Sequence, residues 1–578
     1  MKKVLIVLGL LFLLAAAAVA VFVATFDADR YRLLVVNQME QVLGSPVRLE
    51  KISLGWRGGI ALQLKNLAIY PAAPAHGEPL VRVENVSAVV RLLPLLKKNV
   101  QIASVRIDRP RLHILRTPEG AIRMEGIQFP AEQKPTAGSG PQALPAEPAP
   151  QTVAAPAALP LAIGLIEVSG GEIRVSDDSL KPPLDLTLKK LDLTLRNVSL
   201  SRRPIQFQAR VAVFSDDQNL ILSGRFEMPG GGQPGLLEAF QLQTDFSRLK
   251  TADFAEAFPS VKGLGLRELK GNLSVKIDRL VLDPQNLAGL EAQVALVDGR
   301  ILSDQFPKSV DQITMNAVAR RDRILLNRFS AAVAGGTVNV TGKADNLDTR
   351  AGIDFQATAQ QLALEDLTPL AHQDQPHLRG KLSLTFHGTA QGLAADQMAR
   401  TLSGNGEVHL TQGVMVNFNV LQEVFRRISI IPGLVEVLQS RLPESYRDKM
   451  NARDTVLEPV DLTVTADNGA FVFNNLRLAT DTFELTGTGR LGTDMNLSSQ
   501  TTLRIGKELS AAIIRSVREF QSLSSPDGRI ELPVQVQGTL PAVSALPDVQ
   551  YVASRLVANK AGDVLGNLLS KVLEKASK

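Results

Sequence analysis

The sequence LDLTLKKLDLTLRNVSL, Leu184–Leu200, alternates leucine with polar residues and restarts the alternation after a lysine pair. Successive side chains of a β-strand point to opposite faces of the sheet, so the leucines share one face and the Asp and Thr residues share the other. The pattern therefore predicts a two-faced strand. Its leucine face needs a cover, which is either a second layer of protein or an apolar ligand.

Similar alternating segments recur along most of the 578 residues, separated by Gly- and Pro-containing turns. The chain is 45% hydrophobic but only 4% aromatic, so its apolar faces consist mainly of Leu, Val, Ile and Ala. We expect a mainly β fold in which a long, twisted and curled, antiparallel-rich sheet forms a groove. An N-terminal transmembrane helix and a few amphipathic helices toward the C-terminus complete the expected fold.

The uncharged run Val4–Phe26 is long enough to cross a bilayer as a helix, which takes about 20 residues. Lys2 and Lys3 precede the run, and the positive-inside rule then places the N-terminus in the cytoplasm. A cleaved signal peptide is the alternative, because Ala18-Val19-Ala20 fits the small-x-small rule. We expect an uncleaved anchor, since the apolar run continues beyond Ala20. Both alternatives export the remaining chain.

Composition and periodicity divide the chain into a series of expected segments. They are a cytoplasmic stub at 1–3, the anchor at 4–26, a helix plus β segment at 27–129, a Pro/Ala-rich linker at 130–160, a β segment at 161–245, a β repeat at 246–360, a second repeat at 361–545 with a helical insertion at 420–442, and an amphipathic helix at 546–578. The linker leaves open whether the first β segment joins the others or forms a separate module.

Helical periodicity appears at four places. Tyr31, Leu34, Val35, Met39 and Val42 predict a helix that ends at Gly44, and further amphipathic helices are predicted within Val420–Leu442, at Glu508–Phe520 and around Val564–Leu573. The second and third of these helices have two interpretations, which are contact with a membrane surface or packing as core at the end of the sheet. We favour core packing, because their polar faces are not enriched in basic residues.

Several kinds of chemistry find no support in the sequence. The absence of cysteine excludes disulfides, thiolate metal sites and a cysteine nucleophile, and the net charge of +5 is too mild to suggest nucleic acid. The stretch GTVNVTGKA, Gly336–Ala344, has five residues between its glycines and lacks the Ser or Thr of a phosphate loop. His372, Asp374 and His377 cluster in a polar segment that we interpret as a solvated loop. We therefore expect no catalytic, cofactor-binding or metal-binding residues, and a non-enzymatic protein.

The alternating strands instead favour an open apolar surface. Flexible aliphatic side chains suit acyl chains, which gain about 0.8 kcal/mol for each CH₂ removed from water. The candidate lipid-facing residues are Leu184, Leu186, Leu188, Leu191, Leu193, Leu195, Val338 and Val340.

Four parts of the chain together resemble the AsmA family of Gram-negative bacteria. They are the N-terminal anchor, LGSPVRLEKISLGW at Leu43–Trp56, the strand pairs at Ser104–Ile127 and Ile163–Asp178, and LPVQVQGTLPAVSALPDV at Leu532–Val549. The resemblance implies a single-pass protein of the inner (cytoplasmic) membrane, with its N-terminus in the cytoplasm and its bulk in the periplasm. It also implies phospholipid and outer-membrane components as partners, and a role in lipid transport and outer-membrane biogenesis.

An alternative function uses the edges of the same sheet. Unpaired edge strands could capture strands of outer-membrane proteins by β-augmentation, which would make the protein a scaffold or assembly factor.

Overall fold

A computed structural model describes residues 27–56, 60–70, 79–91, 101–116, 122–123, 162–179, 183–199, 203–229, 234–282, 289–347, 349–369, 377–428, 433–540 and 542–555. These residues form a mainly β structure with few helices, which confirms the predicted fold class at that level. The predicted anchor Val4–Phe26 lies outside the described residues. Within the described ranges, no helix combines the length and the apolar character needed to cross a membrane.

The chain divides into two compact units. The N-terminal unit comprises Met1–Gly263 with Asn272–Ala292, and the C-terminal unit comprises Leu264–Gly271 with Gln293–Lys578. The segment boundaries expected from the sequence stay predictions.

The N-terminal unit contains twelve strands among its described residues, the last of which is shared with the other unit. They are β1 Val47–Trp56, β2 Ile60–Ile69, β3 Val81–Val90, β4 Ile102–Asp108, β5 Arg111–Arg116, β6 Ile122–Arg123, β7 Ala162–Asp177, β8 Leu184–Ser199, β9 Ile205–Val213, β10 Leu220–Glu227, β11 Gly235–Asp245 and β12 Leu266–Leu282. Its helices are α1 Arg32–Leu43, α2 Thr251–Ala257 and α3 Pro259–Lys262, with 3₁₀ turns at Ala28–Tyr31 and Phe246–Arg248.

Antiparallel pairing dominates this unit, with one exception beside β7. Strands β1, β2 and β3 pair in order, and β7 to β12 form a second antiparallel series. Strands β4 and β5 both pair with β3 and run parallel to β7. A parallel pair needs a crossover connection, and in the sequence the predicted Pro/Ala-rich linker lies between β6 and β7. The first β segment is therefore hydrogen-bonded to the segment after the linker.

The lysine pair in the opening stretch forms a β-bulge in β8. Leu188 pairs with Ile173 of β7 and Leu191 pairs with Gly171, so two lysines oppose a single β7 residue. Lys190 adopts a left-handed φ of 51° to accommodate the extra residue. The bulge restores the alternation, and the leucines on both sides of the lysines stay on one face of the sheet.

Helix α1 lies along the outer edge of β1 and bonds backbone groups that have no strand partner on that side. Three bonds run between the helix region and the strand: Ile52 N donates to Asp29 Oδ1 at 3.0 Å, Val47 N donates to Glu40 Oε1 at 2.8 Å, and Arg32 Nη1 donates to Leu49 O at 3.2 Å. An exposed strand edge is a template for unwanted pairing, so these contacts protect the start of the sheet.

The predicted end of α1 is confirmed, because Gly44 caps the helix with a φ of 65°. The apolar residues that predicted the helix do not all pack against the sheet. Tyr31 and Leu34 are 54% and 67% exposed, and the residues that pack against β1–β3 are Val35, Val36 and Met39.

The C-terminal unit continues the β structure. Its strands are β13 Glu291–Ser303, shared at its first residues with the other unit, β14 Val310–Arg320, β15 Arg323–Val333, β16 Gly336–Asp345, β17 Gly352–Ala363, β18 His377–Gln391, β19 Ser403–Val416, β20 Thr455–Val456, β21 Val460–Asp467, β22 Ala470–Ala479, β23 Phe483–Gly492, β24 Asn496–Ile505, β25 Glu531–Thr539 and β26 Ala542–Pro547. Its helices are α4 Leu364–Leu367, α5 Ala395–Thr401, α6 Val420–Arg426, α7 Leu434–Arg441, α8 Glu444–Asn451 and α9 Lys507–Ser516, with a 3₁₀ helix at Arg518–Leu523.

Two glycines aligned by the sequence repeat have the same unusual backbone conformation. Gly271 in β12 has φ 133°, and Gly380 in β18 has φ 136°. A Cβ at Gly271 would lie 3.0 Å from the α-carbon of Gly299, and a Cβ at Gly380 would lie 2.8 Å from the Thr411 carbonyl oxygen. Both positions therefore require glycine.

Helices α6 to α9 and the 3₁₀ helix at Arg518–Leu523 pack as core at one end of β23–β26. Phe425 and Phe520 are fully buried and meet edge to face, with ring centroids 5.9 Å apart and planes at 80°. The buried cluster also takes in the apolar faces of α7 and α9. The prediction that these helices serve as core rather than as a membrane-contacting surface is confirmed. Helix α8, whose sequence ESYRDKMN is mostly polar, was not predicted.

Candidate functional site

An apolar cavity of about 650 Å³ lies in the C-terminal unit beside this helical core. Its volume is within the range of about 300–1,000 Å³ that small-molecule sites occupy. One wall consists of inward-facing residues of β22 to β26, and the other residues come from α4, β18, β19, the start of α6 and nearby loops. The lining residues are Leu364, Leu367, Thr368, Pro369, His377, Leu378, Leu410, Met415, Phe418, Val420, Leu457, Phe473, Leu476, Leu478, Phe483, Leu485, Met495, Leu497, Ser499, Val534, Val536, Leu540, Val543 and Ala545.

Strand pairing explains why these residues share a face. Leu485 pairs with Leu478 of β22, and Ser499 of β24 pairs with Val536, which in turn pairs with Ala545 of β26. Directly opposed residues of antiparallel strands project to the same side of the sheet. The sheet therefore presents a nearly continuous apolar wall to the cavity.

Strand β24 runs from the cavity into the sealed core. Leu497 and Ser499 line the cavity, whereas Leu503 and Ile505 on the same face are completely buried under the helices. The helical core thus closes one end of the apolar face. Further along the same face, Ser499 is buried and Leu497 is half-buried, and both border the cavity.

The few polar groups in this wall are hydrogen-bonded within the sheet. Ser499 Oγ donates to the Val536 carbonyl at 3.2 Å, and the neighbouring Thr501 Oγ1 donates to the Val534 carbonyl at 2.6 Å. A polar ligand group would have to compete with these bonds. The wall is therefore suited to hydrocarbon.

The cavity opens to solvent at its rim. Met495 and Leu378 line it and are 49% and 38% exposed. Large apolar side chains exposed next to an apolar cavity mark an entry for a ligand with an apolar part.

Helix α4 separates the cavity from charged groups. Leu364 and Leu367 line the cavity, while Asp366 on the same turn bonds Lys308 Nζ at 2.7 Å. This hydrogen bond raises the pKa of Lys308 above its ordinary value, so the lysine stays charged at neutral pH. Neither member of this ion pair lines the cavity.

Residues 1–225 match the model of the AsmA family. The match covers less than half of the chain, and it confirms the resemblance to that family predicted from the sequence. AsmA-family proteins are typically associated with the cell envelope and are generally not enzymes. Similarity to them suggests a role in outer-membrane or lipid-related biogenesis. No curated protein and no solved structure matches the chain.

The predicted leucines lie within the AsmA-matched region, on one face of β8. All six, Leu184, Leu186, Leu188, Leu191, Leu193 and Leu195, are half-buried. Their face continues across six strands of the N-terminal unit, since the register aligns Val168, Leu193, Ala209, Leu222, Leu242 and Val275 in one row. The adjacent row on the opposite face is polar: Glu167, Thr194, Gln208, Ser223, Gln241 and Lys276.

This face of β7–β12 lies outside the buried clusters found in the described parts of the chain. One cluster joins α1 to β1–β3, and the other is the helical core around Phe425 and Phe520. The six β8 leucines are therefore partly accessible.

Val338 and Val340 lie on β16 of the C-terminal unit and are also half-buried. They pair with Ala359 and Ala357 of β17. Neither valine and none of the β8 leucines lines the apolar cavity. The cavity residues were missed at the sequence level, although the alternation in IELPVQVQGTL, Ile530–Leu540, already indicated a two-faced strand next to predicted helices.

Two segments rejected as catalytic or metal sites have clear positions. GTVNVTGKA lies in β16, as its strand-forming residues predict. His377 begins β18 and borders the cavity, while His372 and Asp374 lie outside the described residues.

Proposed function

We propose that this protein acts as an AsmA-type, non-enzymatic, membrane-anchored periplasmic protein that binds the acyl chains of phospholipids on the apolar faces of its strands. In this role it supports phospholipid transport to the outer membrane and the integrity of that membrane. The apolar cavity of the C-terminal unit is the most enclosed binding site for an acyl chain.

The observation that carries the proposal is the change along β24 from a sealed core at Leu503 to an open cavity at Leu497. A closed sandwich would cover both positions equally. Here the helices fill one end, and the contiguous part of the apolar face borders a cavity. An acyl chain in this cavity gains about 0.8 kcal/mol for each CH₂ that leaves water.

The headgroup has no comparable site in the cavity wall. The side-chain hydroxyls of Ser499 and Thr501 already have backbone partners, and the Lys308 charge is taken by Asp366. We therefore infer that the acyl part is bound within the cavity and the headgroup stays at the rim near Leu378 and Met495. Such binding selects for hydrocarbon and discriminates weakly among headgroups.

The two-faced sheet of β7–β12 supports the same function in the N-terminal unit. The half-buried aliphatic residues of this face do not belong to a buried core cluster. They offer a flexible acyl chain many similar contacts. Movement between similar contacts needs no bond-breaking chemistry, which fits a protein without catalytic residues.

The scaffold alternative receives less support. β-Augmentation needs free backbone donors and acceptors on an edge strand. The outer edge of β1 is bonded by Asp29, Arg32 and Glu40, so a client strand would have to displace these side chains.

Site-specific photo-crosslinking tests the proposal at single-residue resolution. A photoreactive amino acid at Leu497 should crosslink to phospholipid in cells, whereas the same group at Ser498, the next residue on the opposite face, should not. Leu193 and Thr194 provide the equivalent pair on β8. We expect a period of two in the lipid crosslinks, because alternate residues face the apolar side.

Equal crosslinking at both members of each pair, or crosslinks to an outer-membrane protein in place of lipid, would contradict the proposal. The second result would favour the scaffold function.

A further inference from the structure

Helix α1 exposes an apolar patch at the end nearest the predicted anchor. Tyr31, Leu33 and Leu34 are 54%, 69% and 67% exposed. Large apolar side chains grouped on a surface mark contact sites for protein or lipid.

The outward side of α1 changes character along its length. Its first turn presents Leu33 and Leu34, and the following turns present the exposed amide residues Asn37, Gln38 and Gln41. On the inward side, Val35, Val36 and Met39 pack against β1–β3, and Arg32 and Glu40 bond the β1 backbone. The outward apolar character is thus confined to one end of the helix and is unrelated to the core.

Hydrogen bonds to the sheet fix the orientation of this patch. The bonds of Asp29, Arg32 and Glu40 to the β1 backbone hold α1 at both ends. Leu33 and Leu34 therefore cannot turn toward the core without breaking this attachment.

The neighbouring sequence indicates what covers the patch. The uncharged run Val4–Phe26 ends one residue before Asp27, and Leu33 follows Phe26 by only seven positions. Seven residues span at most about 25 Å even when the chain is fully extended, so the sequence keeps the patch close to the end of the run. If the run crosses the bilayer, the patch falls at the depth of the headgroups and upper acyl chains.

We propose that the first turn of α1 docks against the bilayer surface through Tyr31, Leu33 and Leu34. This contact orients the sheet at the membrane, because α1 is bonded to β1. The inference rests on the membrane anchor of the proposed function and is independent of lipid binding in the cavity.

The natural chain has no cysteine, so single-cysteine variants can be labelled without background. The full chain is reconstituted into phosphatidylcholine–phosphatidylglycerol vesicles that contain a nitroxide-headgroup lipid, with an environment-sensitive fluorophore at Leu33→Cys or Leu34→Cys. Gln41→Cys is the control, since it is exposed on the same side of the helix but lies about 10 Å further along the axis than Leu34.

We expect about a twofold or greater loss of fluorescence at positions 33 and 34 and clearly weaker quenching at position 41, because an interfacial apolar face lies among the headgroups. Equal quenching at all three positions would overturn the proposal. Weak quenching at all three positions, in chains that float with the vesicles, would also overturn the proposal. Protection of the fluorophore from the nitroxide quencher that increases with protein concentration would overturn it too, because it would indicate that a second copy of the chain covers the patch. Chains that fail to float with the vesicles would contradict the membrane anchor itself. Crosslinking at Leu497 tests the cavity separately.

Discussion

Leu497→Asp should weaken phospholipid binding by more than about tenfold. A carboxylate in the apolar wall keeps its hydration and excludes hydrocarbon from the surrounding space. Displacing two methylene groups costs about 1.6 kcal/mol at about 0.8 kcal/mol each, and every 1.4 kcal/mol is about a factor of ten in Kd. Titration of the purified full chain with a phospholipid that carries a fluorescent acyl chain measures the change.

Ser498→Asp is the matched control for this substitution. It adds the same charge at the next residue of β24, but Ser498 is exposed on the polar face. Its Kd should stay within about twofold of the unmodified chain, since surface substitutions away from a site have small effects. Equal affinities for the two variants would show that the cavity does not hold the acyl chain.

Phe520→Ala should destabilise the C-terminal unit by about 3–5 kcal/mol, the usual cost of removing a buried phenylalanine. Phe520 is fully buried and packs edge to face on Phe425, so the substitution leaves a void at the centre of the helical core. Loss of this core would also open the sealed end of the apolar face.

Phe306→Ala is the control, because Phe306 belongs to the same unit and is 37% exposed. Pulse proteolysis in increasing urea gives the free energy of unfolding for the C-terminal unit. Tryptophan fluorescence would not report on this unit, since the single tryptophan, Trp56, lies in the other one. A loss below about 1 kcal/mol for Phe520→Ala, or one equal to that of Phe306→Ala, would contradict the role of the core.

Local periodicity predicted much of the secondary structure. The alternation in Leu184–Leu200 predicted the two-faced strand, and its interruption at the lysine pair corresponds to the bulge at Lys190. Helices within Val420–Leu442 and at Glu508–Phe520 were predicted because their apolar residues repeat at helical spacing. The apolar residues that predicted these helices are also the ones that are buried together in one core cluster.

Features that depend on distant pairing could not be predicted in this way. The parallel alignment of β4 and β5 with β7 joins segments on the two sides of the linker, and a two-faced strand has the same alternation in parallel and antiparallel pairs. The cavity likewise brings Leu410 near Val536, which is far away in sequence. Helix α8 was missed because ESYRDKMN has almost no apolar periodicity, and Met450 is its one fully buried residue.

The exposure of Leu34 was also beyond the sequence pattern. Its spacing from Tyr31 and Val35 fits the apolar face of a helix, but α1 is rotated so that Val35, Val36 and Met39 face the sheet. At the edge of β1, Asp29 and Glu40 accept hydrogen bonds from backbone N–H groups and Arg32 donates one to a carbonyl, and these bonds fix this rotation. A helix can thus be recognised from its own residues, whereas its packing face depends on the strand beside it.

Native mass spectrometry of the full chain, extracted from the membrane in a lipid-preserving polymer, tests the central claim most directly. We predict mass adducts of at least one phospholipid per chain that persist after release from the polymer. The adducts should be strongly reduced in Leu497→Asp and retained in Ser498→Asp. A chain free of phospholipid adducts, or adducts unaffected by Leu497→Asp, would contradict an acyl-binding cavity in this protein.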